Sequence, residues 1–209
     1  GKIHNGADDN ASGTAAILEI ARAFVASGDT PRRRVIFVWF DGEERGLLGS
    51  QHLVAHPVFP DETTYMMVNI DMVGRLRDHK LRLFGVNTGD RIPGWLEAAN
   101  LEGIPLDVRE TMEPNSDHSS WYDKKIPVFV PFTGLHMDYH RPTDDVDKLD
   151  VDGIAKVARL SYRVAAEAAD AQEPIVFAQA KDGSGEAMLE ELEAMVGAEK
   201  FAERVKELR

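Results

Sequence analysis

The chain has 209 residues, 43% of them hydrophobic, with a formal charge of −12 and no cysteine. That length and composition suit one sizeable α/β domain or two small ones, and no run approaches the ~18 apolar residues of a membrane span. The acidic balance argues against a nucleic-acid partner, and the lack of cysteine excludes thiolate-bound zinc and disulfides.

The sequence opens at Gly1-Lys2-Ile3-His4 as a stretch from the middle of a longer protein would, with no targeting segment in view. Residues 11–27 carry apolar positions at helical spacing, and Gly28 is the expected stop. Residues 34–40 (RVIFVWF) are a nearly continuous apolar run, which predicts a strand buried on both faces of a parallel sheet. Residues 47–56 suit a short helix ended before Pro57, and 65–73 and 80–86 read as two more strands. Residues 91–102 predict a helix with Asp90 as N-cap and Pro93 in the first turn, followed by a short strand near 105–108. The stretch 111–120 (TMEPNSDHSS) is polar and loop-like. Residues 126–132 (IPVFVPF) form another apolar strand, 133–145 a loop, and 150–170 a long amphipathic helix. Residues 174–180 suit a last strand or an extended tail, and 184–208 one or two charged amphipathic helices. Helices alternating with buried strands argue for an α/β sandwich with a mostly parallel sheet. Sites in such sheets collect at the carboxyl ends of strands.

Acidic clusters fall at such places. Asp41-Gly42-Glu43-Glu44 directly follows one strand, Asp71 lies near the end of another, and His140 follows a third. Gly6-Ala7-Asp8-Asp9-Asn10 precedes the first helix. Taken singly, most have a plainer reading: Asp8-Asp9-Asn10 as a helix N-cap, Glu43-Glu44 as a solvated turn, His140 as a structural histidine, Asp117-His118 as another N-cap. Asp71 is harder to dismiss, because an ionised carboxylate inside MMVNIDMV is costly to bury unless paired or bound to metal. Together, hard carboxylates and an imidazole supply what a divalent metal needs, with a carboxylate to spare for hydrolysis.

Five motifs occur in one order: GADDNASG, DGEERGLLGS, NIDMVG, SDHSSW and DYHRPTD. The series closely resembles that of the M28 family of zinc aminopeptidases over about residues 3–150, and is nearest to its bacterial exported branch. The resemblance implies a phosphorylase/hydrolase-like zinc exopeptidase fold, a three-layer α/β sandwich with a mostly parallel mixed sheet. It implies two zinc ions in the parent family, with Asp9 bridging them, Glu44 and His140 on one, and Asp71 on the other. By the same resemblance Glu43 is the general base toward a metal-bridging hydroxide. Tyr139 donates a hydrogen bond to the developing oxyanion, and Asp117 and His118 support the pocket without ligating. The implied partner is a peptide substrate with a free N-terminus, and the implied location is periplasmic or secreted.

One element of the family's pattern has no counterpart: an H-x-D motif upstream of GADDN. His4 is the sole earlier histidine. The expectation is therefore a catalytic domain over residues 1–172 that lacks its first strands and one zinc-ligating histidine. A C-terminal strand or tail with amphipathic helices would occupy 173–209. The Asp9–Glu44–His140 site would be complete in protein ligands, whereas the other would have Asp9 and Asp71 unless His4 or solvent joins them, so one zinc or none would be well held. Missing central strands would leave sheet edges exposed and favour self-association or a repacking of the amphipathic C-terminal helices. Two further readings stay open: a non-catalytic peptidase-like binding module, and a glutaminyl-cyclase-like acyltransferase with a single zinc.

Overall fold

A computed structural model describes residues 1–58, 63–77, 79–183, 185, 193, 197 and 200–201. Its framework is a four-stranded mixed sheet in the order β1 (Met67–Val68), β5 (Val128–Phe132), β2 (Leu81–Phe84), β3 (Leu106–Val108). β1 runs parallel to β5 and β2 parallel to β3, while β2 and β5 are antiparallel. The two central strands are buried along their whole length. Side-chain alternation splits them between two apolar clusters: Leu81, Leu83 and Phe129 join one, Phe84, Val128, Val130 and Phe132 the other. That division makes the sheet the middle layer of a sandwich.

The first cluster lies under α1 (Gly13–Ser27), α3 (Ile92–Ala99) and α5 (Val151–Asp170). α1 presents Ala16 and Ile20 to it, and α5 presents Val157, Leu160 and Val164, at the i, i+3, i+4, i+7 spacing of an apolar helical face. Asp150 starts α5 by accepting the Gly153 N–H at 2.9 Å, and left-handed Gly28 ends α1. The second cluster takes in Tyr122 and Trp121 from the short α4 (Ser119–Tyr122), beside which α2 (Leu48–Ala55) packs. A separate two-stranded ladder joins β4 (Thr111–Met112) to β6 (Lys181–Asp182). The stretch 174–180 is an extended tail rather than a strand, with a single isolated bridge from Phe177 to Gly89 besides its side-chain and loop contacts.

The apolar run 34–40 is not a ladder strand. Val35–Phe40 makes no main-chain hydrogen bond to another strand among the described residues, and Ile36 and Trp39 are 51% and 48% exposed. The run needs a neighbour, and β1 pairs with β5 alone. Phe37 packs against Phe24 at 6.0 Å between ring centres, and Phe40 against Trp121 at 5.5 Å, so the run is covered only in patches, with Ile36 and Trp39 facing solvent. Two smaller expectations also change. Asp90 does not cap α3; its carboxylate accepts the Val176 N–H at 2.9 Å and pins the tail instead. The polar stretch 111–120 holds β4 and the start of α4 besides loop. The helices expected over 184–208 lie largely outside the described residues.

Candidate metal centre

Glu43 and Glu44 stand on one tight turn, Glu43–Arg45, bracketed by Gly42 and Gly46 at φ 71° and 95°. Those left-handed angles suit glycine because it has no Cβ, and they let the chain leave the extended run and reverse at once. The Leu47 N–H closes the turn on the Glu43 carbonyl at 2.8 Å.

Asp9 sits on the irregular turn Ala7–Ser12 that leads into α1. Its position is imposed from the far end of the sequence. Asp144 Oδ2 accepts the backbone N–H groups of both Asp8 and Asp9, at 2.9 and 3.0 Å, and Asp144 Oδ1 accepts from Arg75 at 3.0 Å. Asp8 is fully buried. Its Oδ1 accepts from the Ser12 hydroxyl at 2.9 Å and the Gly74 N–H at 2.6 Å, and its Oδ2 from His136 Nε2 at 3.0 Å. A buried carboxylate is tolerated when its lone pairs are filled in this way. The N-cap reading fails for both aspartates; Asn10 Oδ1 accepts the Gly13 N–H at 3.0 Å.

This scaffold brings Asp9, Glu44 and His140 together, with one donor atom from each inside 4.8 Å of the others. His140 Nε2 lies 3.2 Å from Asp9 Oδ2 and 2.8 Å from Glu44 Oε1. Hydrogen bonds to Asp9 and Glu44 push the imidazole up to about 9, and the bond to His140 holds Glu44 below the usual carboxylate range. A positive charge thus sits where two carboxylates converge.

Asp71 follows β1 and faces the same space without entering the three-donor group. Its Oδ2 accepts from the Ser116 hydroxyl at 2.8 Å, and Ser116 is held in turn by Asn69 Nδ2 at 3.0 Å. Its Oδ1 is buried with no hydrogen-bond partner. Burial, reinforced by the charges of Asp9 and Asp117, pushes Asp71 up to about 7. Glu43 goes up to about 8, through burial first and then the charges of Asp71, Glu44, Asp117 and Asp9. The Tyr139 phenol is also raised, by burial and then by Asp9, and its ring stacks on His140 at 3.8 Å.

Asp117 is pushed up by burial. His118 is driven down to about 4 for the same reason, and its Nε2–H donates to the Glu113 carbonyl at 2.8 Å. Neither caps a helix: α4 has no side-chain cap at His118. His4 is exposed and outside the donor group. Three non-glycine residues beside the site, Leu47, Met72 and His140, hold φ of 60°, 52° and 55°, a sparsely populated region whose cost tends to gather at functional sites.

These donors fit a divalent cation. One imidazole and two carboxylates converge, and beside them lies an unpartnered buried carboxylate oxygen among further acids, a combination that a cation relieves. Nitrogen with oxygen, and no sulfur, is a zinc-compatible set. Sequence reasoning passed over Asp8, Ser116, His136 and Asp144. Asp8 and Asp144 stood inside GADDN and DYHRPTD, but nothing local marks a residue that acts by holding another's backbone.

Comparison with known proteins points one way. The profile of Peptidase family M28 matches residues 1–165. Leucine aminopeptidase 1 of Uncinocarpus reesii is 29% identical over 80% of this chain and 47% of its own length. The LapA aminopeptidase of Legionella pneumophila superposes with a TM-score of 0.70 at 29% identity, over 81% of this chain and 48% of its own. The chain thus spans about half the length of these relatives. A glutaminyl cyclase of Porphyromonas gingivalis shares the fold, with a TM-score of 0.59 at 17% identity over 78% of this chain and 64% of that one. Neither the acyltransferase nor the non-catalytic reading is favoured by this pattern.

Proposed function

The chain belongs to Peptidase family M28, and from that premise we propose that its residues 1–172 are the catalytic domain of a zinc-dependent aminopeptidase that removes N-terminal residues from peptides, with 173–209 appended. The observation that carries this reading is the convergence of Asp9, Glu44 and His140 inside 4.8 Å, with Glu43 beside them. Asp9, Glu44 and His140 would hold one zinc ion. Bound there, zinc supplies Lewis acidity and lowers the pKa of water toward ~7. Glu43, beside these three and half-buried among acidic neighbours, is placed to take a proton as a general base. Tyr139 keeps its phenolic proton and can donate it in a hydrogen bond to an oxyanion. Asp117 and His118 hold the loop around Ser116. The surplus of carboxylates draws the α-ammonium group of a peptide.

A second cation would find its protein ligand in Asp71, which lies beside the three-donor group without entering it. The Asp71 Oδ1, buried with no hydrogen-bond partner, supports this. The unpaired run Val35–Phe40 favours pairing with a second copy, which size-exclusion chromatography reads directly; a strict monomer would overturn that point. No helix among the described residues is long and apolar enough to cross a membrane. A periplasmic or secreted location rests on the exported branch that the motifs resemble, and cell fractionation tests it.

The deciding experiment pairs elemental analysis with hydrolysis of aminoacyl-p-nitroanilides. The expected result is bound zinc and cleavage that chelator abolishes and zinc restores. Zinc-loaded protein without cleavage overturns the reading.

A further inference from the structure

The C-terminal tail crosses the molecule to reach the loop that supports Asp71. Phe177 bridges Gly89 and meets the Tyr122 ring at 5.6 Å. The Ala180 N–H donates to the Tyr122 hydroxyl at 2.8 Å. β6 then pairs with β4, and the Gly183 N–H donates to the Met112 carbonyl at 2.8 Å. The tail's last described contact is the Gly185 N–H, which donates to Glu113 Oε2 at 2.7 Å.

Glu113 is 5% exposed, although a carboxylate is costly to bury. It works in two directions. Its side chain holds the tail, and its backbone carbonyl accepts from His118 Nε2. Between these two contacts the chain turns through Ser116, whose hydroxyl is fixed on Asp71, and Asp117, whose charge acts on Glu43. The tail is shaped for this contact from its own side too: a Cβ on Gly183 would overlap the Glu113 carboxylate.

We propose that Glu113 is a positioning residue of the candidate site, clasping the tail at Gly183 and at Gly185 to the loop 113–120 and so setting Ser116 against Asp71. The proposal rests on the aminopeptidase reading for its catalytic consequence, and on geometry alone for the clasp. Packing alone would explain a buried apolar side chain at position 113. It does not explain a carboxylate whose acceptor oxygen meets the tail while its own carbonyl orders the loop.

The test uses the zinc-loaded full chain and four variants: Glu113→Ala, Gly183→Ala, their combination, and Glu113→Gln, which keeps an acceptor oxygen. The first readout is amide hydrogen exchange at Ser119–Tyr122, whose N–H groups close on carbonyls of residues 116–118. Exchange there should quicken about tenfold in each single alanine variant. The double variant should exchange no faster than either single, as expected when both act through one contact. Glu113→Gln should return to within about twofold of the parent, with α5 unchanged throughout. The second readout is turnover of an aminoacyl-p-nitroanilide, which should fall in the alanine variants and recover in Glu113→Gln at unchanged zinc content. Unaltered exchange at Ser119–Tyr122, additive effects, or no recovery with glutamine overturns the proposal. A parent chain that cleaves nothing counts against the aminopeptidase reading, while the exchange data still decide the clasp.

Discussion

The two sides of the sheet have similar compositions and opposite fates. On one side β5 and β2 are paired along both edges, and Leu81, Leu83, Val128 and Phe129 have no exposed surface. On the other side Val35–Phe40, as rich in β-branched and aromatic residues, lies without a ladder, and β1 is paired along one edge. The difference shows that β-propensity becomes a strand only where a partner supplies hydrogen bonds. The site straddles this boundary. Asp9 and His140 belong to loops locked by the buried Asp8–His136–Arg75–Asp144 network. Glu43 and Glu44 hang from the unpaired run.

The largest effect should come from that hanging turn. Glu43→Gln is expected to lower turnover by about 10²–10⁴-fold with zinc still bound, read by steady-state rates and elemental analysis. Loss of zinc instead would mean that Glu43 and Glu44 have exchanged roles. Next comes the locked side: Phe129→Ala should cost about 3–5 kcal/mol in denaturant unfolding, because the surrounding strands cannot collapse onto the space. A cost below about 1 kcal/mol would erase the contrast between the two sides.

A third outcome concerns pH. In zinc-free protein His140 titrates at about 9, Glu43 at about 8 and Asp71 at about 7, each above its unfolded value. Between the unfolded and folded values the native state binds more protons, so stability falls as pH rises. Zinc-free protein should therefore melt at a lower temperature at pH 9 than at pH 6. Zinc, which displaces the His140 proton, should narrow that gap. A melting temperature that rises from pH 6 to pH 9 without zinc would contradict the site electrostatics. Smallest of all, Ile36→Thr at this exposed position should shift stability by no more than about 0.5 kcal/mol. A large loss there would mean that this run is buried in solution, as it would be in a self-associated form.

The helices and the central strands were legible because their signals are local. α1, α5, β2 and β5 carry periodicities and caps that packing agrees with. The convergence of Asp9, Glu44 and His140 was legible through motif order. The fate of residues 34–40 was not, since a run of Val, Ile and Phe says nothing about whether a neighbouring strand is present. Asp144 and His136 escaped for a related reason: their work is done on residues about 130 positions away. The Asp90 cap was misread because its carboxylate found a tail amide in place of the helix start.

The grip of Asp144 on the amides of Asp8 and Asp9 spans 136 residues of sequence. Contacts that distant close only after a large loss of chain entropy, and they tend to form late in folding. During synthesis the turn that carries Asp9 emerges before Asp144 and His140, and it lacks the contacts that hold it until both have left the ribosome. A nascent chain therefore carries Asp9 and Glu44 without the His140 that completes the three-donor group.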